Sequence, residues 1–586
     1  MKKAQRILRE FDKLKKDYRQ LEEIVKNTKT GNLWNHEAAI RKKIKALKEF
    51  KYQEINEFHG VYENYLSFLD NVSKRLLEHY NKKNNCSYRF EDITATDKAG
   101  YISSGIISVL ITSHIPELVA GEFTKYFPRN PKDEYDTARK IKRRFFLHLG
   151  QTNTGKTYNS LQRLKQASCG VYLAPLRILA LENYEKLNRE GVPCHLLTGE
   201  EEMRVEGANH ISCTIEKLNS EQSYDVAVID EIQMIGGTQR GQAWTRALLG
   251  LQSEEIHICG AINTKELLIK IIEDCGDSYE ITEYVRDVPL LVMNDPFELK
   301  QAESGDALVV FSKRRVLELY QYFTGKKMKA SVIYGDLPPE VRRMQYDAFI
   351  SGENKILVTT DAIGMGVNLP IRRVIFMDIK KFDGEEIRYL TSQEIKQIAG
   401  RAGRKGIYDV GYVGVNSISQ QFIAESLDAD DEPVNSAIVG PSEAILKIKN
   451  LPLREKLALW STREETLPYY KKMDVRDGLL ILDSVKSFRL AEADEYKLIR
   501  LPFDVNSNDM LLLFLEYVEQ FFKKHVGALT KPKMKSGMLP DLEIYYQMIN
   551  LYYSFSKSFH IDFDEQWVYH EREIISKKIN HLLLRM

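Results

Sequence analysis

One segment limits the fold more than any other. Gly150-Gln-Thr-Asn-Thr-Gly-Lys-Thr157 follows an apolar run, Phe145–Leu149, and precedes a helical run, Tyr158–Leu164. The pattern G-x-x-x-x-G-K-T between a strand and a helix is a phosphate-binding loop. Gly150 and Gly155 let backbone N–H groups curl around phosphate oxygens. The helix N-terminus adds the positive end of its dipole. Lys156 then places a cation at the β- and γ-phosphates, and the Thr157 hydroxyl suits Mg2+. Gln151, Thr152, Asn153 and Thr154 complete the cradle. The expected cofactors are ATP and Mg2+. Alone, the loop says only that the chain hydrolyses a nucleoside triphosphate.

The loop sits inside a longer alternation. Phe145–Leu149, Gly170–Ala174, His210–Thr214, Asp225–Ile229 and Ile256–Cys259 read as strands between helical segments. A second series follows: Ala307–Phe311, Ala330–Tyr334, Ile356–Thr360, Val374–Met377 and Gly411–Val415. Strands alternating with helices predict parallel sheets covered on both faces. Two α/β domains are therefore expected, 143–288 and 289–425, meeting near Asp287-Val288-Pro289. Residues 1–142 read as helical, with Ile7, Leu8, Phe11, Leu14, Tyr18, Leu21, Ile24 and Val25 at three- and four-residue steps. Ile40, Ile44 and Leu47 continue the pattern after a break near Gly31-Asn32. Residues 426–586 read as helical again. The aromatic stripes of Met510–Phe522 and Leu542–Phe555 are expected to be core, and Asp428–Glu432 and Lys531–Lys535 to be loops.

Asp230-Glu-Ile-Gln233 ends the apolar run Val226–Ile229. A carboxylate at a strand's C-terminal end reaches Mg2+ from the far side of the phosphate, and Asp230 suits that role. Glu231 can orient and deprotonate the attacking water. Gln233 can report nucleotide state to a neighbouring segment. In the second α/β unit, Gln397-Ile-Ala-Gly-Arg-Ala-Gly-Arg404 places two arginines three residues apart. Arg401 and Arg404 read as arginine fingers that reach the γ-phosphate across a domain cleft. Gln397 opens the motif and is counted with the catalytic set. Closure with ATP and opening after hydrolysis would make a motor.

The set GQTNTGKT, DEIQ, TTDAIGMGVNLP and QIAGRAGR resembles superfamily 2 DExD/H-type RNA helicases. Within them it is most similar to the helicase subunit of the mitochondrial RNA degradosome and its bacterial relatives. The resemblance spans roughly residues 143–420. It implies two tandem RecA-like parallel-sheet domains with helical flanks. It also implies that Arg177, Thr198, Gly199 and Thr214 contact the nucleic-acid backbone from the first domain. Ser312, Lys313 and Arg314 would do so from the second. Thr359 and Thr360 would bind phosphate, Asp361 would face the nucleotide, and Gly364 and Gly366 would permit tight turns. Each hydroxyl has a plainer alternative, since hydroxyls at strand ends often cap the next helix. Gly260-Ala-Ile-Asn263, after the acidic box, receives no role.

The resemblance implies an ATP-dependent RNA helicase that moves 3′ to 5′ on a single strand and opens duplexes ahead of a nuclease. No nuclease constellation is visible, so a partner exoribonuclease is expected. Two other readings stay open: an RNA clamp or remodelling factor without processive unwinding, and a DNA helicase or translocase. No upstream glutamine motif of the DEAD-box kind reads adenine, so nucleotide choice is expected to be loose.

Composition adds little. Net charge is +1, although the first fifty residues carry 15 Lys/Arg against 7 Asp/Glu. That bias reads as the solvated face of a helical hairpin. Six cysteines without a CxxC pair read as reduced thiols. The N-terminus has no signal-peptide pattern, and Glu10, Asp12 and Asp17 argue against a transit peptide. The apolar stretch around Ile106–Val119 reads as too short and too polar for a bilayer. A cytoplasmic location is expected, with no membrane contact.

Overall fold

The computed structural model describes residues 2–50, 53–84, 86–364, 369–384, 386–404, 406–449 and 451–585. Gly366 lies outside them. The chain forms two compact units: Met1–Pro128 with Pro441–Arg463, and Arg129–Gly440 with Glu464–Met586. Two expected boundaries change. Residues 129–142 belong with the first α/β domain, because Arg139 and Arg143 both hold Asp277 beside its sheet. The expected C-terminal region, 426–586, is divided between the units.

The smaller unit is helical. Lys2–Asn27 and Trp34–Lys48 are separated by a turn at Thr30–Asn32, where the sequence breaks. Phe11, Leu14, Val25, Ile40, Ile44 and Leu47 are buried, while Leu8 and Ile24 are half-exposed. Lys43 bonds Asp17 and Lys15 bonds Glu57, so part of the basic charge is met inside the unit. The helical run Ile106–Tyr126 has 21 residues and is long and apolar enough to cross a membrane, by length and composition alone. The expectation that it is too short is corrected: a π turn at Leu110–His114 continues the helix through His114, which bonds the Thr96 hydroxyl at 2.8 Å.

The larger unit holds the two large sheets. The first contains β1 (Arg144–Gly150), β2 (Gly170–Ala174), β3 (Cys194–Leu197), β4 (Glu202–Met203), β5 (His210–Thr214), β6 (Ser223–Ile229), β7 (Gln252–Gly260) and β8 (Ser278–Tyr284). Their order is β4-β3-β5-β2-β6-β7-β1-β8. All pairs are parallel except β3 with β4. The second contains β9 (Leu290–Val292), β10 (Asp306–Val309), β11 (Ala330–Ile333), β12 (Ile356–Thr359), β13 (Arg373–Phe376) and β16 (Gly411–Val415). Their order is β11-β12-β10-β13-β16-β9, all parallel. A hairpin of β14 (Lys380–Phe382) and β15 (Ile387–Tyr389) stands between β13 and β16 in sequence. Strands buried on both faces read as unbroken apolar runs, which is why the sequence reveals them.

The C-terminal helices pack on the second domain. Phe514, Tyr517, Tyr552, Phe555, Ile575 and Ile579 share one core with Leu308, Val332 and Ile356. The aromatic stripes are therefore core. Residues 431–436 and 525–538 lie outside helices and strands. Lys531 and Lys535 reach Asp564 and Asp509. Cys194, Cys213 and Cys259 are buried, and all six cysteines are unbonded.

Candidate functional site

β1 ends at Gly150, whose positive φ of 148° and contact with β8 explain the residue type. A Cβ there would lie 2.0 Å from the Tyr284 carbonyl oxygen. The loop then turns through Asn153 and Gly155, both with positive φ, into helix Lys156–Lys165. Lys156 Nζ donates to the Gly150 and Gln151 carbonyls at 2.7 and 2.5 Å, so the ammonium folds back over its own loop. Burial pulls its pKa down, and the carboxylates of Glu231 and Asp230 oppose that pull. The Thr154 hydroxyl closes the turn on the Gln151 carbonyl at 3.0 Å.

Asp230 follows β6, two strands from β1 across the sheet. It is buried. Its Oδ1 accepts from Thr157 Oγ1 at 3.1 Å and its Oδ2 from the Tyr172 hydroxyl at 2.8 Å. Burial and the adjacent Glu231 carboxylate raise its pKa. A buried carboxylate beside a hydroxyl, held by neutral donors alone, is a donor set that fits a hard divalent cation. Glu231 sits in the left-handed region, φ 50°. That pose lets its carboxylate accept from the Gln233 amide. Gln233 in turn accepts the Ala261 N–H at 3.1 Å. Gly260-Ala261, left without a role by the sequence, is thus the segment that Gln233 contacts. A Cβ at Gly260 would meet Ile232 at 2.5 Å and Gln233 at 2.7 Å, so only glycine admits that approach.

The second domain faces this site. Helix Ser392–Ala399 carries Gln397 and ends in the loop that bears Arg401. Thr152 packs on Gly400, and Asn153 Nδ2 donates to the Gly403 carbonyl at 3.5 Å. Arg401 donates through Nε to the Gly364 carbonyl at 3.2 Å. Burial lowers its pKa, while Glu231 and Asp230 from the first domain favour its charged form. Arg404 lies at the end of the loop, its carbonyl accepting from Ile407 and Tyr408 at 3.0 Å.

The expected nucleic-acid residues separate into groups. Ser312, Lys313, Thr360 and Asp361 line one cavity of about 510 Å3 with Tyr334, Asp336, Lys381, Glu394 and Gln397. Asp361 pairs there with Lys381 at 3.2 Å. Ser312 caps helix Lys313–Gly325, accepting the Arg315 N–H at 3.3 Å. Lys313 bonds Glu543, and Arg314 pairs with Glu318 on the surface at 2.9 Å. Thr359 is buried and donates to the Thr360 carbonyl at 2.9 Å, while Thr360 accepts the Ala362 N–H at 3.3 Å. Thr198 closes a local turn with Glu200 and Glu201. Gly199 lies beside Pro502, and Thr214 is buried at the end of β5. Arg177 is held by carboxylates: Glu200 at 2.6 Å, Glu201 at 2.8 Å and Glu340 at 3.0 Å, with the Tyr546 hydroxyl at 3.0 Å. No signal in the motif foretells those partners, because Glu340 and Tyr546 are more than 160 residues away.

Comparison with known proteins gives this geometry a family. Residues 131–284 match the DEXQ-box helicase domain of Suv3, 290–406 a helicase conserved C-terminal domain, and 539–585 the C-terminal domain of the ATP-dependent RNA helicase SUV3. The mitochondrial ATP-dependent RNA helicase SUV3 of rice is 37% identical over 464 residues, covering 74% of this chain and 78% of that protein. The SUV3 helicase of Saccharomyces cerevisiae is 34% identical, covering 73% and 63%. The chain thus spans 78% of the rice protein's length and 63%, less than two thirds, of the yeast protein's. Among solved structures, the Escherichia coli DEAH/RHA helicase HrpB aligns at 13% identity over 73% of this chain and 60% of that one, with a TM-score of 0.47. The expected cytoplasmic location is overturned, since these curated relatives are named as mitochondrial proteins. That expectation rested on an N-terminal charge pattern, which does not determine compartment. With its three matched domains in order, the chain belongs to the SUV3 family of ATP-dependent RNA helicases.

Proposed function

We propose that the chain moves along single-stranded RNA, 3′ to 5′, and separates duplexes for a partner exoribonuclease in RNA degradation or processing. The carrying observation is the loop of Arg401 packed on Thr152 and Asn153 of the phosphate-binding loop. One nucleotide site is thereby built from both domains, so hydrolysis and domain motion are one event.

Thr157 and Asp230 would hold Mg2+, which when bound neutralises charge on the β- and γ-phosphates. Lys156 leaves its loop carbonyls for the phosphates. Glu231, oriented by Gln233, takes a proton from water as its oxygen attacks the γ-phosphorus. The bond from that phosphorus to the β–γ bridging oxygen breaks, and ADP leaves with the electron pair. Arg401 and Arg404 stabilise the charge spread over the transferring group. Nucleic acid runs over the cavity lined by Ser312, Lys313 and Thr360, touching phosphates more than bases.

The test is ATPase and strand displacement on matched RNA and DNA duplexes with 3′ or 5′ tails. Wild type is expected to hydrolyse ATP faster with RNA and to open the 3′-tailed RNA duplex, while Lys156→Ala does neither. An ATPase indifferent to nucleic acid, or normal unwinding by Lys156→Ala, overturns the reading. RNA-stimulated ATPase without displacement selects the clamp, and a preference for DNA tails selects the DNA translocase.

A further inference from the structure

Arg286 lies in the linker between the sheets, two residues past the end of β8, outside every motif named above. All three nitrogens of its guanidinium are engaged. Nε donates to the Val288 carbonyl at 2.5 Å and Nη1 to the Gly400 carbonyl at 2.6 Å. Nη2 donates to the Ala402 carbonyl and to the Gly403 carbonyl, the latter at 3.1 Å. Its backbone N–H donates to Gln151 Oε1 at 3.0 Å. One linker residue therefore touches the phosphate-binding loop and three carbonyls of the loop that carries Arg401.

The chemistry suits a clamp. The carbonyls follow the C-terminus of helix Ser392–Ala399, where backbone oxygens are no longer taken by the regular helical pattern and the helix dipole favours a cation. A guanidinium places several donors in a fixed fork, whereas a lysine ammonium offers one point charge. Burial alone acts on the charge of Arg286, which its pKa, lowered to about 10, leaves in place at neutral pH. The gripped loop is itself tightly seated: at Gly403, φ 70°, a Cβ would lie 2.7 Å from the Gly411 nitrogen.

We propose that Arg286 is a positioning residue for ATP hydrolysis: it fixes the loop Gly400–Arg404 against the phosphate-binding loop, so that Arg401 and Arg404 meet the γ-phosphate in register. Gln151 gives the linker a direct reading of the phosphate-binding loop, and the guanidinium passes that reading to the fingers. The inference rests on the reading of Arg401 as a finger.

The test uses the full chain with saturating single-stranded RNA. Steady-state ATPase is measured for wild type, Arg286→Ala, Arg286→Lys, Arg401→Ala and the double variant Arg286→Ala/Arg401→Ala. Thermal melting and affinity for a fluorescent ATP analogue are measured alongside. A finger displaced by about 1 Å costs on the order of 100-fold. Arg286→Ala is therefore expected to lose roughly 10- to 100-fold in kcat, with the KM for ATP within about threefold. Arg286→Lys recovers little of it, and guanidinium ion at low millimolar concentration recovers part of the Arg286→Ala loss. The double variant loses less than the product of the two single losses, since only Arg404 then still depends on Arg286. Wild-type kcat in Arg286→Ala, a raised KM with kcat retained, or losses that multiply in the double variant would each overturn the proposal. If Arg286→Ala melts far below wild type, Arg286→Lys carries the same comparison, since it keeps the charge and the stem. A wild-type rate in Arg401→Ala defeats the finger reading itself. A slow Arg401→Ala beside an unimpaired Arg286→Ala defeats only the role of Arg286.

Discussion

Replacing Arg177 by alanine removes the cation that bonds three carboxylates, Glu200, Glu201 and Glu340, and leaves Arg572 as a more remote positive charge acting on Glu340. Glu201 matters most, because its side chain is 6% exposed and its carboxylate bonds Arg177 at 2.8 Å. Breaking a buried ion pair by deleting one partner costs about 3–5 kcal/mol, because the other charge is left without compensation. Glu200 and Glu340 are each 31% exposed, so solvent screening holds their share to less than about 1 kcal/mol apiece. The expected loss is thus about 3–5 kcal/mol, dominated by Glu201. It depends on pH with a definite sign. In wild type, Arg177 and the Tyr546 hydroxyl oppose burial and hold the Glu340 pKa down. Its stabilisation is therefore present above the unfolded value of about 4.3 and fades as pH falls below it. In Arg177→Ala burial acts on Glu340 with less opposition, so its carboxyl takes up a proton more readily, and the defect is largest near pH 8 and shrinks toward pH 5. The assay is chemical denaturation of the full chain at both pH values, with Arg177→Ala/Glu201→Gln as a partner variant. The double variant should be the more stable of the two, since it carries one charge fewer. A midpoint for Arg177→Ala indistinguishable from wild type at pH 8, or a double variant no more stable than the single, would refute the reasoning.

Two further outcomes follow from the cleft. Burial raises the pKa of Glu182 to about 7 against the pull of Arg343, with Glu185 and Asp347 adding to the rise and Arg401 opposing it. A folded-state pKa above the unfolded one makes the charged form costly, by on the order of 3 kcal/mol once pH exceeds 7. Glu182→Gln should therefore stabilise the chain at pH 8 and leave it unchanged near pH 4, as denaturation at both values would reveal; an equal effect at both refutes it. Gly400→Ala puts a Cβ 2.8 Å from Thr152 Cβ and 2.7 Å from the Lys396 carbonyl oxygen. It should lower kcat for ATP by about tenfold or more through misplacement of the Arg401 loop, and an unchanged steady-state rate would exclude that contact from the working state.

The sequence exposed what local rules govern. Gly170–Ala174, His210–Thr214 and Gly411–Val415 are strands over the expected residues: the first and last are short runs rich in Val, Leu and Tyr, and His210–Thr214, though it carries His, Ser and Thr, is a short β-rich run that follows the turn formers Gly207 and Asn209. It concealed β3 and β8. Cys194-His-Leu-Leu197 is only four residues long, Ser278–Tyr284 mixes polar with apolar residues, and β8 is an edge strand that buries none of its seven residues fully. The phosphate site was legible because its parts, Gly150 to Thr157, are contiguous. The linker clamp was not, since Arg286 and the carbonyls it holds in the loop of Arg401 lie more than 110 residues apart and carbonyls leave no residue signature.

Arg177 and Lys313 show most sharply where motif reading stops. A motif identifies a basic side chain at the end of a strand and assigns it phosphate, because phosphate is the partner that many such cations share. It says nothing about internal anions that compete for the same cation. Here both competitors involve one helix, Leu539–Ser558: Tyr546 bonds Arg177 and Glu340, and Glu543 bonds Lys313 and the Tyr334 hydroxyl. Three residues apart, Glu543 and Tyr546 lie on one helical face. Burial raises the pKa of Glu543, with Lys313 opposing, so this acid is costly to leave alone. Phosphate gains Lys313 or Arg177 only by leaving a buried carboxylate exposed to that cost, on the order of 3 kcal/mol or more. The affinity of either residue for a nucleic-acid backbone is therefore set by the C-terminal helix as much as by the motif that contains it. That dependence is invisible to any reading confined to residues 143–420.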